Sequence, residues 1–275
     1  MSIVTTPGVL DVIDLDPAKL ASFKKHGYEW VMLQAQNDTA RRGYDMSRVR
    51  AAGLKPCVWG VSYVAANFYR DGWWLAERAL QLGADELCMD IEMAAKFTRG
   101  GGLRPLVKGV RDAGWTGPVH LNTMGPPYNV DVNDYEIDVE TILETGGGIF
   151  TQAYYNETNA FHPTLAVRYW TRVGVPLDRL NVSISLYPSE SDKEKPRNKL
   201  SGADYLPLLQ DAGVKRNLSI FMGQVLTEDD MRALDPLALP PPPPTTTAVS
   251  RARRASRSWT RRGSGRTSRA AGRSR

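Results

Sequence analysis

Gly83-Ala84-Asp85-Glu86-Leu87-Cys88-Met89-Asp90-Ile91-Glu92 holds, in ten residues, a helix stop, an apolar strand and a pair of acids at the strand's end. Gly directly after an amphipathic stretch ends a helix, because the position past the last turn takes a left-handed backbone that costs Gly nothing. Gly27, Gly53, Gly114, Gly146, Gly174 and Gly213 sit in the same way. With Gly83 they are spaced 26, 30, 31, 32, 28 and 39 residues apart, the length of a strand-helix unit.

Short β-prone runs follow these stops: Tyr28–Gln34, Leu54–Val61, Ala84–Ile91, Trp115–Leu121, Ile149–Tyr154 and Leu180–Leu186. An opening strand over Val9–Leu15 and a closing one over Leu218–Gln224 complete eight. Eight units in about 235 residues predict an α/β fold, a single-domain (β/α)8 TIM barrel over residues 1–239. The competing doubly wound sheet is disfavoured, since no Gly-x-Gly-x-x-Gly follows the first strand. Asp16-Pro17 reads as a cap followed by Pro at the first helical position, and Ser201-x-x-Asp204 and Thr227-x-x-Asp230 read as capping boxes.

Past Leu239 come five prolines, three threonines and an Arg/Ser/Ala/Gly segment, read as a disordered tail over residues 240–275. The chain of 275 residues has a formal charge of +5, yet ten Arg and no acid lie between Arg251 and Arg275. The preceding 250 residues therefore carry 25 basic and 30 acidic side chains. The tail suits a polyanion contact, but its composition equally suits a frameshifted GC-rich extension. Two cysteines, Cys57 and Cys88, exclude a disulfide framework and read as small buried hydrophobes. Neither a signal peptide nor a membrane span is read, which implies synthesis in the cytoplasm.

In a barrel, residues of one strand parity face inward, and those at the C-terminal mouth form the active face. That parity runs through Asp14 and Asp16 on the first strand, Gln34 and Gln36 on the second, and Asp90 and Glu92 on the fourth. It continues through His120 and Asn122, Gln152 and Tyr154, Ser183, Ser185 and Tyr187, and Met222 and Gln224. Trp59 and Tyr63 share a parity on the third strand. Asp16 reads as a cap instead of a site residue, and at least one of Trp73 and Trp74 as core. Acids and amides bind sugar hydroxyls, and Trp and Tyr stack on a pyranose ring, so Gln34, Gln36, Trp59, Tyr63, Asn122, Gln152, Tyr154, Tyr187 and Gln224 are the expected substrate contacts. Asp90 beside Glu92 raises one carboxyl's affinity for its proton, as a general acid at a glycosidic oxygen requires. Glu92, nearer the mouth, is the expected donor. The three histidines do not cluster, so no metal is implied, and no organic cofactor either.

These residues resemble glycoside hydrolase family 25, the lysozyme-type muramidases. Val12-Ile13-Asp14-Leu15 matches that family's first-strand Asp, Met89-Asp90-Ile91-Glu92 its fourth-strand Asp-x-Glu, and Thr151-Gln152-Ala153-Tyr154 its sixth-strand segment. The resemblance implies Glu92 as acid, Asp90 as assisting carboxylate and Asp14 as a floor acid. Family 18, the chitinase group, is similar through Asp85, Asp90 and Glu92, with Cys88 in place of a second Asp. The implied function is hydrolysis of an N-acetylated cell-wall polysaccharide such as peptidoglycan, in a bacteriophage or bacterial lysis protein or a virion component. The alternative is a noncatalytic glycan-binding or structural barrel, favoured by Phe221-Met222-Gly223-Gln224-Val225 where family 25 has an aromatic-Gln-Tyr pattern.

Overall fold

The computed structural model describes residues 3–6, 15–37, 40–41, 44–91, 101–124, 137–155, 162–186, 200–215, 217–221 and 226–238; at 3–6, 36–37 and 40–41 it describes the backbone. The strands are β1 (Ile3–Thr6), β2 (Trp30–Asn37), β3 (Ala40–Arg41), β4 (Lys55–Val61), β5 (Glu86–Asp90), β6 (Val119–Met124), β7 (Ile149–Gln152), β8 (Leu180–Ser185) and β9 (Leu218–Phe221). All except β3 are parallel and pair in sequence, and β1 bonds to both β2 and β9, so these strands close into a ring. The pair Asn37 and Ala40 turns β3 back antiparallel on the end of β2. Helices α1 (Pro17–Lys25), α2 (Met46–Ala51), α3 (Phe68–Leu82), α4 (Arg104–Asp112), α5 (Val139–Glu144), α6 (Pro163–Arg172), α7 (Gly202–Asp211) and α8 (Glu228–Ala238) alternate with the barrel strands. The architecture is α/β and TIM-barrel-like.

Local chemistry sets the helix ends. All seven helix-stop glycines adopt a left-handed φ, between 66° and 96°. The Asp16 carboxylate accepts the Ala18 N–H at 3.0 Å and caps α1 ahead of Pro17. Ser201 with Asp204, and Thr227 with Asp230, make reciprocal side-chain-to-backbone bonds that open α7 and α8. Where α3 crosses α4, a Cβ on Gly109 would stand 2.0 Å from the Tyr69 carbonyl oxygen. The absence of a side chain there lets the two backbones touch.

Each barrel strand carries two faces. On β5, Leu87 and Met89 join the large apolar layer under the helices, whereas Cys88 joins a second cluster inside the ring with Trp30, Met32, Cys57, Trp59, Val61 and Phe150. Both thiols are fully buried, and burial pushes them well above the usual cysteine range.

Three expectations are corrected. The first described strand is Ile3–Thr6; of the expected Val9–Leu15, residues 9–14 lie outside the described residues, and Leu15 is non-strand chain whose side chain is buried in the outer layer. On the last strand the inward parity passes through Ser219 and Phe221, with Leu218 and Ile220 facing the helices, so it is opposite to the Met222 and Gln224 parity. Neither Trp73 nor Trp74 is core: both are half-buried, and Arg70 lies over the Trp74 ring. The described residues all belong to a compact unit, Met1–Pro241, and the tail expectation lies outside them.

Candidate active site

The C-terminal mouth of the ring is polar on its inner face. Asp90 ends β5 in the inward parity of Cys88 and is 8% exposed. Its register neighbours are Val61 on β4 and Asn122 on β6. From β7, Gln152 reaches across and donates its Nε2–H to Asp90 Oδ1 at 3.5 Å. Gln34, Asn122 and Gln152 are buried amides of the same inner face. A carboxylate so enclosed needs hydrogen-bond donors to remain charged.

Below this layer the interior turns apolar. Trp59 pairs in register with Gln34 on one side and Cys88 on the other, one inward step beneath Asp90. Its Nε1 and the Oδ1 of Asn122 are buried with no hydrogen-bond partner among the described residues. Polar atoms of this kind are costly unless something satisfies them, which a hydroxyl-bearing ligand reaching that depth would do. Tyr154 follows β7, is buried, and stacks on Phe221 with centroids 5.5 Å apart and rings 20° from parallel. One face of its ring is thereby occupied.

Asp90, Gln34, Asn122, Gln152, Trp59 and Tyr154 are thus brought to one interior. Tyr63 is not: it lies past the end of β4 and is 57% exposed. The backbone of Gln36 lies in β2 opposite Gly60 and Arg41. Glu92, Asp14, Tyr187 and Gln224 lie outside the described residues. Ile91 still continues the pairing of β5, donating its N–H to the Asn122 carbonyl at 2.9 Å.

His120, expected at the mouth, belongs to the opposite pole. It stands one residue inside the start of β6, with Nε2 at 2.8 Å from Glu86 Oε2. A support missed in the sequence is Asp71, on the first turn of α3 and 3% exposed. It accepts from Ser62 Oγ at 2.6 Å and from the Arg70 guanidinium, while the Ser62 N–H donates to the Asp90 carbonyl at 3.0 Å. The chain leaving β4 is therefore pinned beside Asp90. A Ser and an Asp nine residues apart carry no local signal of this contact.

No family model matches the sequence, and no curated protein aligns with it. Solved structures do match in shape. The spore cortex-lytic enzyme SleL of Bacillus megaterium QM B1551 superposes with a TM-score of 0.60 at 9% identity, over 86% of this chain and 73% of that one. Endo-β-N-acetylglucosaminidase from Cordyceps militaris, in apo form, gives 0.51 at 11% identity, over 87% of this chain and 91% of that one. A doubly substituted form of that enzyme, an Asp and a Glu two positions apart replaced by amides, in complex with fucosyl-N-acetylglucosamine-Asn, gives 0.50 at 10% identity over the same shares. At these identities the likeness is one of fold, to TIM-barrel-like glycoside hydrolases. Among the described residues, no helix is long and apolar enough to cross a membrane.

Proposed function

We propose that this protein is a glycoside hydrolase acting on an N-acetylated cell-wall polysaccharide, with Glu92 as proton donor, Asp90 as assisting carboxylate and Asp14 as a floor acid. The observation that carries the reading is Asp90, an inward carboxylate at the C-terminal end of a barrel strand, held by an amide and followed two residues later by Glu92. In an extended chain residues two apart share a parity, and Glu92 is proposed to continue that of Asp90.

In the proposed reaction the Glu92 carboxyl protonates the glycosidic oxygen as the bond to the anomeric carbon breaks. Asp90, in a largely water-excluded setting, stabilises the positive charge growing at that carbon or orients an acetamido group to do so, and a water then adds to that carbon, giving up its proton to a carboxylate of the site and leaving the new reducing end. Gln152 keeps the Asp90 oxygen directed inward. The shape likeness to SleL and to an endo-β-N-acetylglucosaminidase supports this substrate class. So does the latter's double variant, whose substituted Asp and Glu stand at the same spacing as Asp90 and Glu92.

On peptidoglycan the proposed cut leaves N-acetylmuramic acid at the new reducing end, as the family 25 resemblance implies. Digestion, borohydride reduction and mass analysis of the fragments test this. Muramitol termini are expected; glucosaminitol termini would overturn the muramidase assignment and keep the hydrolase. Intact glycan bound without turnover would favour the noncatalytic module.

A further inference from the structure

The barrel has a second polar end. Where β5 to β9 begin, Glu86, His120, Gly148, Asp178, Arg179 and Asn181 are among the residues lining a cavity of about 270 Å³. Glu86 and Asp90 share the inward face of β5 at its two ends, with Cys88 between them, so this cavity and the candidate active site open at opposite poles.

Glu86 and Asp178 bring negative charge to this lining and Arg179 positive charge, and the hydrogen bonds show how Glu86 is held. His120 Nδ1 accepts the Gly148 N–H at 3.0 Å, so the ring carries its hydrogen on Nε2, which donates to Glu86 Oε2 at 2.8 Å. In that arrangement the imidazole is neutral and brings Glu86 a hydrogen bond but no positive charge. Arg179 directs its guanidinium to the carbonyl oxygens of Gly146 and Gly147. Among the described residues, His120 alone lies within ion-pair distance of Glu86, whose side chain is 15% exposed. A carboxylate that is largely out of water gains from a compensating charge. Asn181, which lines the same cavity and is 6% exposed, has a buried Oδ1 with no hydrogen bond among the described residues.

With two carboxylates, Glu86 and Asp178, against one guanidinium that is itself turned to backbone carbonyls, the lining is net negative and the open Asn181 acceptor suits a cationic donor. An anion is disfavoured, because the N–H groups of Gly147 and Gly148 are taken by Thr145 Oγ1 and His120 Nδ1. A metal ion is disfavoured too, since no group of three or more His, Cys, Asp or Glu is assembled among the described residues. We infer that this cavity binds a small organic cation bearing N–H donors, an ammonium or guanidinium group, with Glu86 as counter-ion and Asn181 Oδ1 as second acceptor. The site does not depend on the glycosidase activity.

Titration of the full chain with ethylguanidinium and ethylammonium at low millimolar concentrations, followed by calorimetry and by the Gly148 amide resonance, tests this. Wild type should bind one or both saturably and shift that resonance. Glu86→Gln should bind about tenfold more weakly or worse, as loss of a buried charge partner predicts. Tetramethylammonium, equal in charge but without N–H groups, should leave the resonance unmoved, and this comparison needs no variant. Absence of saturable binding, undiminished affinity in folded Glu86→Gln, an equal response to tetramethylammonium, or tighter binding of neutral ethylene glycol would each overturn the inference.

Discussion

Gln152 Nε2 lies 3.5 Å from Asp90 Oδ1, so the inward carboxylate ending β5 is steadied by an amide from β7, two strands round the ring. If Asp90 assists the reaction, Gln152 is a positioning residue for it. Replacing Gln152 by Ala removes a long hydrogen bond to Asp90, worth about 0.5–1.5 kcal/mol, so kcat should fall about two- to tenfold while KM changes little. Steady-state kinetics read alongside the melting temperature check this. A lowered Tm with unchanged kcat would make the contact merely structural.

Gly109 is held against backbone, its would-be Cβ 2.0 Å from the Tyr69 oxygen and 3.0 Å from the Trp73 nitrogen. Neither atom belongs to a side chain that can swing away. Gly109→Ala should force α3 from α4 and destabilise the fold by about 1–3 kcal/mol, the usual range for overpacking. Chemical denaturation measures it, and Gly83→Ala is a useful contrast, since that Cβ meets nothing within 4 Å and only the left-handed φ is strained.

The first and last helices are joined by a charged cluster. His26 presents Nδ1 to Asp235 at 2.7 Å and Nε2 to Glu228 at 2.8 Å, and Ser22 donates to Glu228 as well. Hydrogen bonds from Ser22 and then His26 hold the Glu228 carboxyl down at about 2, against an ordinary 4.5. A depressed carboxylate contributes stability that is fully present above the unfolded value and is lost as pH falls through the folded one. The stability difference between wild type and Glu228→Gln should therefore be constant above about pH 5, shrink from about 4.5 down towards 2, and weaken with added salt because the group is half exposed. Denaturation midpoints across that range decide it.

Cys57 and Cys88 should resist a thiol reagent in the native state, since both are fully buried and burial disfavours the thiolate. Labelling should rise in step with global unfolding in a denaturant series. Fast labelling without denaturant would mean the barrel interior opens independently.

The period of the barrel was legible because its signal is local: a Gly past each helix needs only its own left-handed turn, and all seven have it. The inward parity of β2 and β5 to β8 was legible because polar residues gather at the mouth on one face. Ile3–Thr6 is not legible because Val9–Leu15 is just as β-prone in sequence, and the strand at Ile3–Thr6 is defined by its pairing, Ile3 with Trp30 and with Ser219, which no local signal carries. A strand placed four residues early, at Trp115 instead of Val119, moved His120 from the start of β6 to its end. On β9, polar and apolar residues fall on both parities, and a slip of one residue exchanges its faces. The Glu86 and His120 contact joins residues 34 apart in sequence, beyond any motif.

The central claim is that the Asp90 and Glu92 pair cleaves a glycosidic bond. Release of reducing ends from peptidoglycan by wild type, Glu92→Gln and Asp90→Asn, each shown to be folded, tests it most directly. The account predicts measurable release by wild type and a loss of about 10²–10⁴-fold in Glu92→Gln, the span of general acid catalysis, with a large loss in Asp90→Asn as well. Equal release by wild type and Glu92→Gln would contradict it.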